Sequence, residues 1–242
     1  IYANAAGAIA GMVEMETPAL LDAKPLVTAS MFGNTTEAVN RARAVMEGHG
    51  YEVLVFHATG IGGQTMDSLI AEGHIVGSLD ITTTELADYV CGGVLSAGAD
   101  RGMAASLAGI PAVIVPGCVD MANFWSIETV PERYSGRNLY RWNPNITLLR
   151  TNIDENAKIG EMLARVANAA TGPVAIVLPL KGVSMLDSEE GAFWDPAADQ
   201  ACFDAIRRNL RPGIPVIEED HNINDAEFAD RCAALLLDLL DD

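Results

Sequence analysis

The chain has 242 residues, half of them hydrophobic, with 33 acidic against 15 basic residues and a formal charge of -18. Such a chain buries a sizeable core and is not disordered, while its negative charge repels polyanions and argues against a nucleic acid or an anionic membrane as partner. Four scattered cysteines, Cys91, Cys118, Cys202 and Cys232, form no Cys-x-x-Cys pair. A reducing cytoplasm is therefore expected, with neither a disulfide framework nor a zinc knuckle.

Residues 3–15 read as a small-residue helix that Thr17-Pro18 ends, and no initiator Met precedes it. Residues 1–23 are accordingly expected to be a helix and linker from an upstream subdomain, and residues 24–242 a single α/β domain. From Lys24 onward short β-rich runs alternate with amphipathic segments: Leu26-Ala29, helix 35–48, Tyr51-Phe56, helix 64–72, Ile75-Leu79, helix 84–90, Val94-Ser96, helix 100–108 and Ala112-Val115. Residues 117–147 break this rhythm with two tryptophans and many Asn and Arg, and read as an irregular functional or interface loop. The alternation resumes with Thr147-Leu149, helix 154–169, Val174-Leu178, helix 197–210, Val216-Ile217 and helix 225–240. The longest apolar runs, such as Ile110 to Val115, fall well short of the roughly 20 residues that cross a bilayer.

The alternation predicts an open, doubly wound, mostly parallel sheet with helices on both faces. Eight strands also fit a closed eight-stranded barrel, for which the chain is at the short limit. In an open sheet ligands sit outside the carboxyl ends of the strands, where the strand order reverses.

Four strand ends carry residues suited to a ligand. The first, SMFGNTTEAV, offers Ser30, Gly33, Asn34, Thr35 and Thr36. Glycine permits close backbone approach, hydroxyls donate hydrogen bonds and a helix N-terminus presents free N–H groups, although a capping box with Glu37 also explains part of the pattern. The spacing matches neither a Walker loop nor a dinucleotide fingerprint and comes closer to the phosphate loop of flavodoxins. The second, HATGIGG, places His57, Thr59, Gly60, Gly62 and Gly63 before a helix, an arrangement that can cradle an anion. The third, DITTTE, supplies Thr83, Thr84 and Glu85, and the fourth, SAGADR, supplies Gly98 and Arg101 as a bidentate partner for a carboxylate or phosphate, with Asp100 beside it as a competing partner.

For catalysis the candidates are His57, Asp120, Lys181 and His221. Asp120 follows a strand end shared with Cys118, and Lys181 follows the strand Val174-Leu178. His221 lies among Asp220, Asn222 and Asp225, a group suited to a metal or a proton relay or, equally, to capping the last helix. No metal site is assigned.

The segments NAAGAIAGMVE, SMFGNTTEAV, FHATGIGGQTMDSLI, LDITTTELAD, VPGCVDMANFW, LPLKGVSMLD and HNINDAEFAD together resemble the second half of the Tm-one-like ATP-binding family, named for a tomato virus-resistance protein. The resemblance runs from about residue 3 to the C-terminus. It implies the second of two α/β subdomains, with Gly33, Asn34, Thr35, Thr36, His57, Gly60, Gly62, Gly63, Thr83, Thr84 and Glu85 matching its signature segments. ATP or another phosphate-bearing ligand is the implied cofactor, with the upstream subdomain as partner. The expected function is binding of a nucleotide or a small phosphate or carboxylate. A non-catalytic oligomerisation or protein-interaction module and a flavodoxin-like FMN binder are the alternatives. A homo-oligomer is expected.

Overall fold

The computed structural model describes residues 1–15 and 23–241. Helix α1 (Tyr2–Glu14) comes first and is exposed along its whole length. The turn expected at Thr17-Pro18 lies outside the described residues.

Helices and strands alternate as β1 (Leu26–Met31), α2 (Thr36–Gly48), β2 (Glu52–His57), α3 (Ile61–Ala71), β3 (Ile75–Thr82), α4 (Thr84–Cys91), α5 (Met103–Ala108) and β4 (Ala112–Gly117). Next come β5 (Met121–Phe124), β6 (Leu139–Asn143), β7 (Ile146–Arg150), α6 (Ile153–Asn168), β8 (Val174–Pro179), α7 (Pro196–Asn209), β9 (Val216–Glu219) and α8 (Ala226–Asp241). Six strands form one open sheet in the order β2-β1-β3-β4-β8-β9, and every pairing in it is parallel. Parallel strands covered on both faces read as near-continuous apolar runs, and β4 and β8 are buried at every residue. The sheet is open, so the eight-stranded barrel is set aside.

Each face of the sheet has its own core. On one, Val39, Ala42 and Met46 of α2 and Phe228, Cys232 and Leu236 of α8 meet Val27, Leu79 and Val113. On the other, Met66 and Ile70 of α3, Ile159 and Leu163 of α6 and Phe203 and Ile206 of α7 meet Ile114 and Ile176. Local chemistry fixes the ends of these helices. Asn152 and Glu155 cap α6 reciprocally, with the Glu155 amide donating to Asn152 Oδ1 at 2.9 Å and the Asn152 amide donating to Glu155 Oε2 at 2.7 Å. Asp195 caps α7, which starts on Pro196.

Two segments differ from the sequence expectation. Val94-Ser96 is not a strand but a turn: the Gly93 amide binds the Asp88 carbonyl at 2.8 Å and the Val94 amide binds the Asn123 carbonyl at 2.8 Å, which ties the run to α4 and β5 instead of the sheet. Residues 117–147 are not irregular throughout, because β5, β6 and β7 pair antiparallel in the order β5-β7-β6. This small sheet is inserted between β4 and α6.

Candidate functional site

The strand order reverses between β1 and β3, the point at which open α/β sheets hold ligands. Directly beyond those strand ends the chain is sealed by its own side chains. Ser30 Oγ donates to Asp80 Oδ1 at 2.7 Å, Thr35 and Thr82 share a hydroxyl hydrogen bond of 2.8 Å, and the Thr82 amide donates to Ser30 Oγ at 2.8 Å. Arg101 Nη1 and Nη2 each donate to an Asp80 carboxylate oxygen at 2.8 Å, and its Nε donates to Glu85. The other Glu85 oxygen, Oε1, accepts the amides of Gly60 at 2.7 Å and Gly63 at 3.1 Å. The anion cradle read in HATGIGG is therefore present, and the anion in it is Glu85. Gly60 sits at φ +84, a β-carbon on Gly62 would strike the His57 carbonyl, and one on Gly63 would strike both Glu85 and Arg101. Arg101 is fully buried and saturated by these carboxylates, so it does not present itself to a ligand; Asp100 pairs with Arg165 instead. Burial opposes the charge on Arg101, but Asp80 and Glu85 hold its pKa above the usual arginine value.

The hydroxyls of the remaining strand ends also turn inward. Thr83 donates to the Val115 carbonyl at 3.0 Å and Thr84 to the Met121 carbonyl at 3.1 Å, which locks α4 to β4 and to the small sheet. Thr36 donates to the Phe32 carbonyl at 3.2 Å, and the Gly98 amide donates to Ser96 Oγ at 3.1 Å.

Beside this seal, at the carboxyl ends of β1 and β2, lies a cleft of about 330 Å³. Its floor brings together Gly33, Asn34, His57 and Thr59 from the predicted set, with Phe32 and Leu95. The His57 ring lies 5.4 Å from the Phe32 ring. The opposite wall is one face of the small sheet. Side chains alternate along a strand, so Asn123 of β5, Trp142 of β6 and Ile146 and Leu148 of β7 share a side, and Trp125 follows β5 directly. The wall is mainly apolar, yet the amide oxygens of Asn34 and Asn123 are buried and make no hydrogen bond. The Asn34 amide nitrogen reaches the Met121 sulfur at 3.2 Å.

The other catalytic candidates lie elsewhere. Asp120 is buried at the carboxyl end of β4, where Ser184 Oγ donates to its Oδ2 at 2.8 Å. Burial, then the charge of Asp187, pushes its carboxyl up to about 7. Burial likewise raises the Cys118 thiol well above the usual range, unlike an activated nucleophile. Lys181 forms an exposed ion pair with Asp220 at 2.9 Å, and His221 Nδ1 lies 3.7 Å from Glu219. The Asp220–Asp225 stretch forms a turn ahead of α8, with Asp225 Oδ2 accepting the Asn222 amide at 2.8 Å and Asn222 Nδ2 donating to the carbonyls of Lys181 and Asp187 at 3.1 Å each. Among the described residues no three His, Cys, Asp or Glu side chains gather as a metal site. None of their helices is long and apolar enough to cross a membrane.

The cleft residues that the sequence reading missed are Phe32, Leu95, Asn123, Trp125, Trp142, Asn143, Ile146 and Leu148. The available signal was the pair of tryptophans in the 117–147 stretch, expected there to belong to a functional or interface loop.

An open parallel sheet with helices on both faces, its carboxyl edge covered by an inserted antiparallel sheet with an aromatic cleft between them, defines a domain of the open α/β class. The family described as "Uncharacterised protein family (UPF0261) C-terminal domain" matches residues 24–240. The chain belongs to this family. It is 47% identical to a UPF0261 protein of Clostridium tetani over 242 residues, all of this chain and 60% of that protein. It is 46% identical to a UPF0261 protein of Mesorhizobium japonicum over 235 residues, 96% of this chain and 59% of the relative. It is also 38% identical to the ToMV resistance protein Tm-1(GCR237) of Solanum lycopersicum over 248 residues, 99% of this chain and 33% of that protein. The chain thus spans about 60% of the bacterial relatives' length.

Proposed function

We propose that this chain is a ligand-binding half of a longer protein, and that its cleft takes a flat ring between Trp125 and Trp142, with a nucleotide as the ligand class. The observation that carries the reading is the aromatic cleft between the two sheets, which opens beside Gly33 in the turn that leads into α2. Tryptophan faces stack on planar rings, and the N-terminus of α2 supplies backbone N–H groups for a phosphate. The cleft carries no lysine or arginine, so the phosphate would rely on those amides. Trp142 lies 3.9 Å from where a β-carbon on Gly33 would stand, close enough for ring and phosphate to be held together.

The strand order also favours FMN as a second ligand, because flavodoxin-like sheets hold FMN at the same reversal. The upstream part of the longer protein is the expected partner, and exposed apolar residues such as Ile9, Met12 and Trp125 offer surface to it or to a second copy.

The test is tryptophan fluorescence titration with ATP, FMN and inorganic phosphate, on the native chain and on Trp142→Ala. Quenching by ATP or FMN that weakens roughly tenfold in the variant supports the reading. Equal binding by both proteins moves the site away from the cleft.

A further inference from the structure

Among the described residues that line the cleft, His57 alone can carry a charge. It ends the edge strand β2, paired in register with Met31 of β1, and so stands beside the turn that carries Gly33 into α2. The residue is exposed, and its ring packs at 5.4 Å against Phe32, which also lines the cleft. Its side chain makes no hydrogen bond or ion pair among the described residues; the Thr59 amide and hydroxyl go to its carbonyl instead, at 2.8 and 3.2 Å. Two other histidines are engaged: the His49 ring meets the Val45 carbonyl at 2.9 Å and the His221 ring lies 3.7 Å from Glu219.

The charged groups of the elements around His57 are occupied or lie outside the cleft. On α2, Arg41 pairs with Asp230 and Arg43 with Glu47, and Glu37 in its first turn is exposed. On α3, Asp67 accepts the Gly102 amide at 3.0 Å, and β1 carries no charged residue. None of these side chains lines the cleft, and neither does Arg141 of β6. In a chain of formal charge -18, an anion entering the cleft therefore meets one side chain able to answer it. Protonated, that imidazole offers a positive charge and two N–H donors.

We infer that His57 is the residue that meets the charge of the ligand, so that the cleft takes a planar ring bearing a single phosphate in preference to the uncharged ring or a triphosphate. This rests on the cleft being the ligand site. Histidine ordinarily changes charge between about pH 5 and 8, so holding the phosphate is tied to a proton on the imidazole. Amides alone would give the opposite trend, because a phosphate monoester gains its second charge near about pH 6 and is the better acceptor above it. Each further phosphate adds negative charge that no second cation in the cleft offsets.

The test is tryptophan fluorescence titration of the full chain with adenosine, AMP and ATP, without divalent cations, at about pH 6 and about pH 8.5. At about pH 6 the native chain is expected to bind AMP roughly tenfold more tightly than adenosine, the worth of a charge-assisted hydrogen bond, and ATP no more tightly than AMP. At about pH 8.5 the preference for AMP shrinks to about threefold or less. His57→Gln keeps a hydrogen-bonding side chain without the charge and shows the small preference at both pH values. His57→Lys stays charged and keeps the large preference at about pH 8.5, which a merely structural role for the ring would not give. An AMP-to-adenosine ratio that is unchanged or rises between the two pH values overturns the inference and leaves the cleft as the site. Tighter binding of ATP than of AMP, or loss of the preference in His57→Lys, also overturns it. If neither adenosine nor AMP quenches fluorescence in the native chain, the reading of the cleft falls and the inference falls with it.

Discussion

The Glu85 carboxylate accepts the backbone N–H of Gly60 at 2.7 Å, so the anion at the N-terminus of α3 is part of the protein. The same carboxylate receives Arg101 Nε, and Arg101 in turn grips Asp80. Replacing Glu85 by Ala leaves one edge of a buried guanidinium and two glycine amides without a partner. Loss of one member of such a buried pair costs about 3–5 kcal/mol. Urea denaturation followed by circular dichroism should show this as a markedly lower midpoint. An unchanged midpoint would mean that Asp80 alone suffices for Arg101.

Gly63 tests the same network from the backbone. A methyl group there has no room beside Glu85 and Arg101, and neither side chain has space to retreat. Gly63→Ala is expected to destabilise by about 1–3 kcal/mol, despite the higher helix propensity of alanine. A gain in thermal midpoint would show that the network yields more than its burial implies.

Acid should stabilise this fold over the weakly acidic range. Burial, opposed by hydrogen bonds from Asn123 and Leu95, pushes Asp88 up to about 7, and burial with the charge of Asp187 does the same for Asp120. Unfolded, both would titrate near about 4. Between those limits the folded chain holds protons that the unfolded chain has released. The stability they contribute is therefore full below about pH 4 and is lost as pH rises through about 7. Urea midpoints should be higher at about pH 5 than at about pH 8, and Asp88→Asn should shrink the difference. A midpoint that rises with pH over this interval would contradict the assignment.

Arg150 holds the segment between β8 and α7 onto β7. Its Nη2 lies 2.8 Å from Asp199 and 3.4 Å from Asp187, and its Nε donates to the Phe193 carbonyl at 2.7 Å. Burial, reinforced by the charge of Asp187, raises Asp199 to about 9 even with Arg150 present. Arg150→Met removes the cation from this buried group of acids, at a cost of about 3–5 kcal/mol. Limited proteolysis should then cut within residues 180–195. Resistance equal to that of the native chain would rule out this role for Arg150.

The sheet was legible in the sequence because parallel strands such as Val174 to Leu178 are apolar at every position and need no partner to be recognised. The small sheet was not. Its strands include Asn123, Arg141 and Thr147, and β5 reaches β7 across the whole of residues 125–145, a pairing that periodicity does not register. The run Val94-Ser96 looked like a strand because β-branched composition says nothing about whether a neighbour exists, and here Asp88 and Asn123 take its amides. The strand-end glycines and threonines were found, but their partners were not. Whether Glu85 faces a ligand or Gly60 depends on contacts across 25 positions, which only the fold brings together.

The inserted sheet has a consequence for how such a site can change. Trp125 and Trp142 flank the same end of β7, one just after β5 and one in β6, so the spacing of the cleft walls follows from the pairing of three short strands. None of those strands belongs to the parallel sheet, whose strand ends are closed by Ser30, Asp80, Glu85 and Arg101. On the proposed reading the inserted sheet acts as an exchangeable cassette: transplanting residues 121–150 from a relative should change what the cleft takes while the host scaffold folds as before.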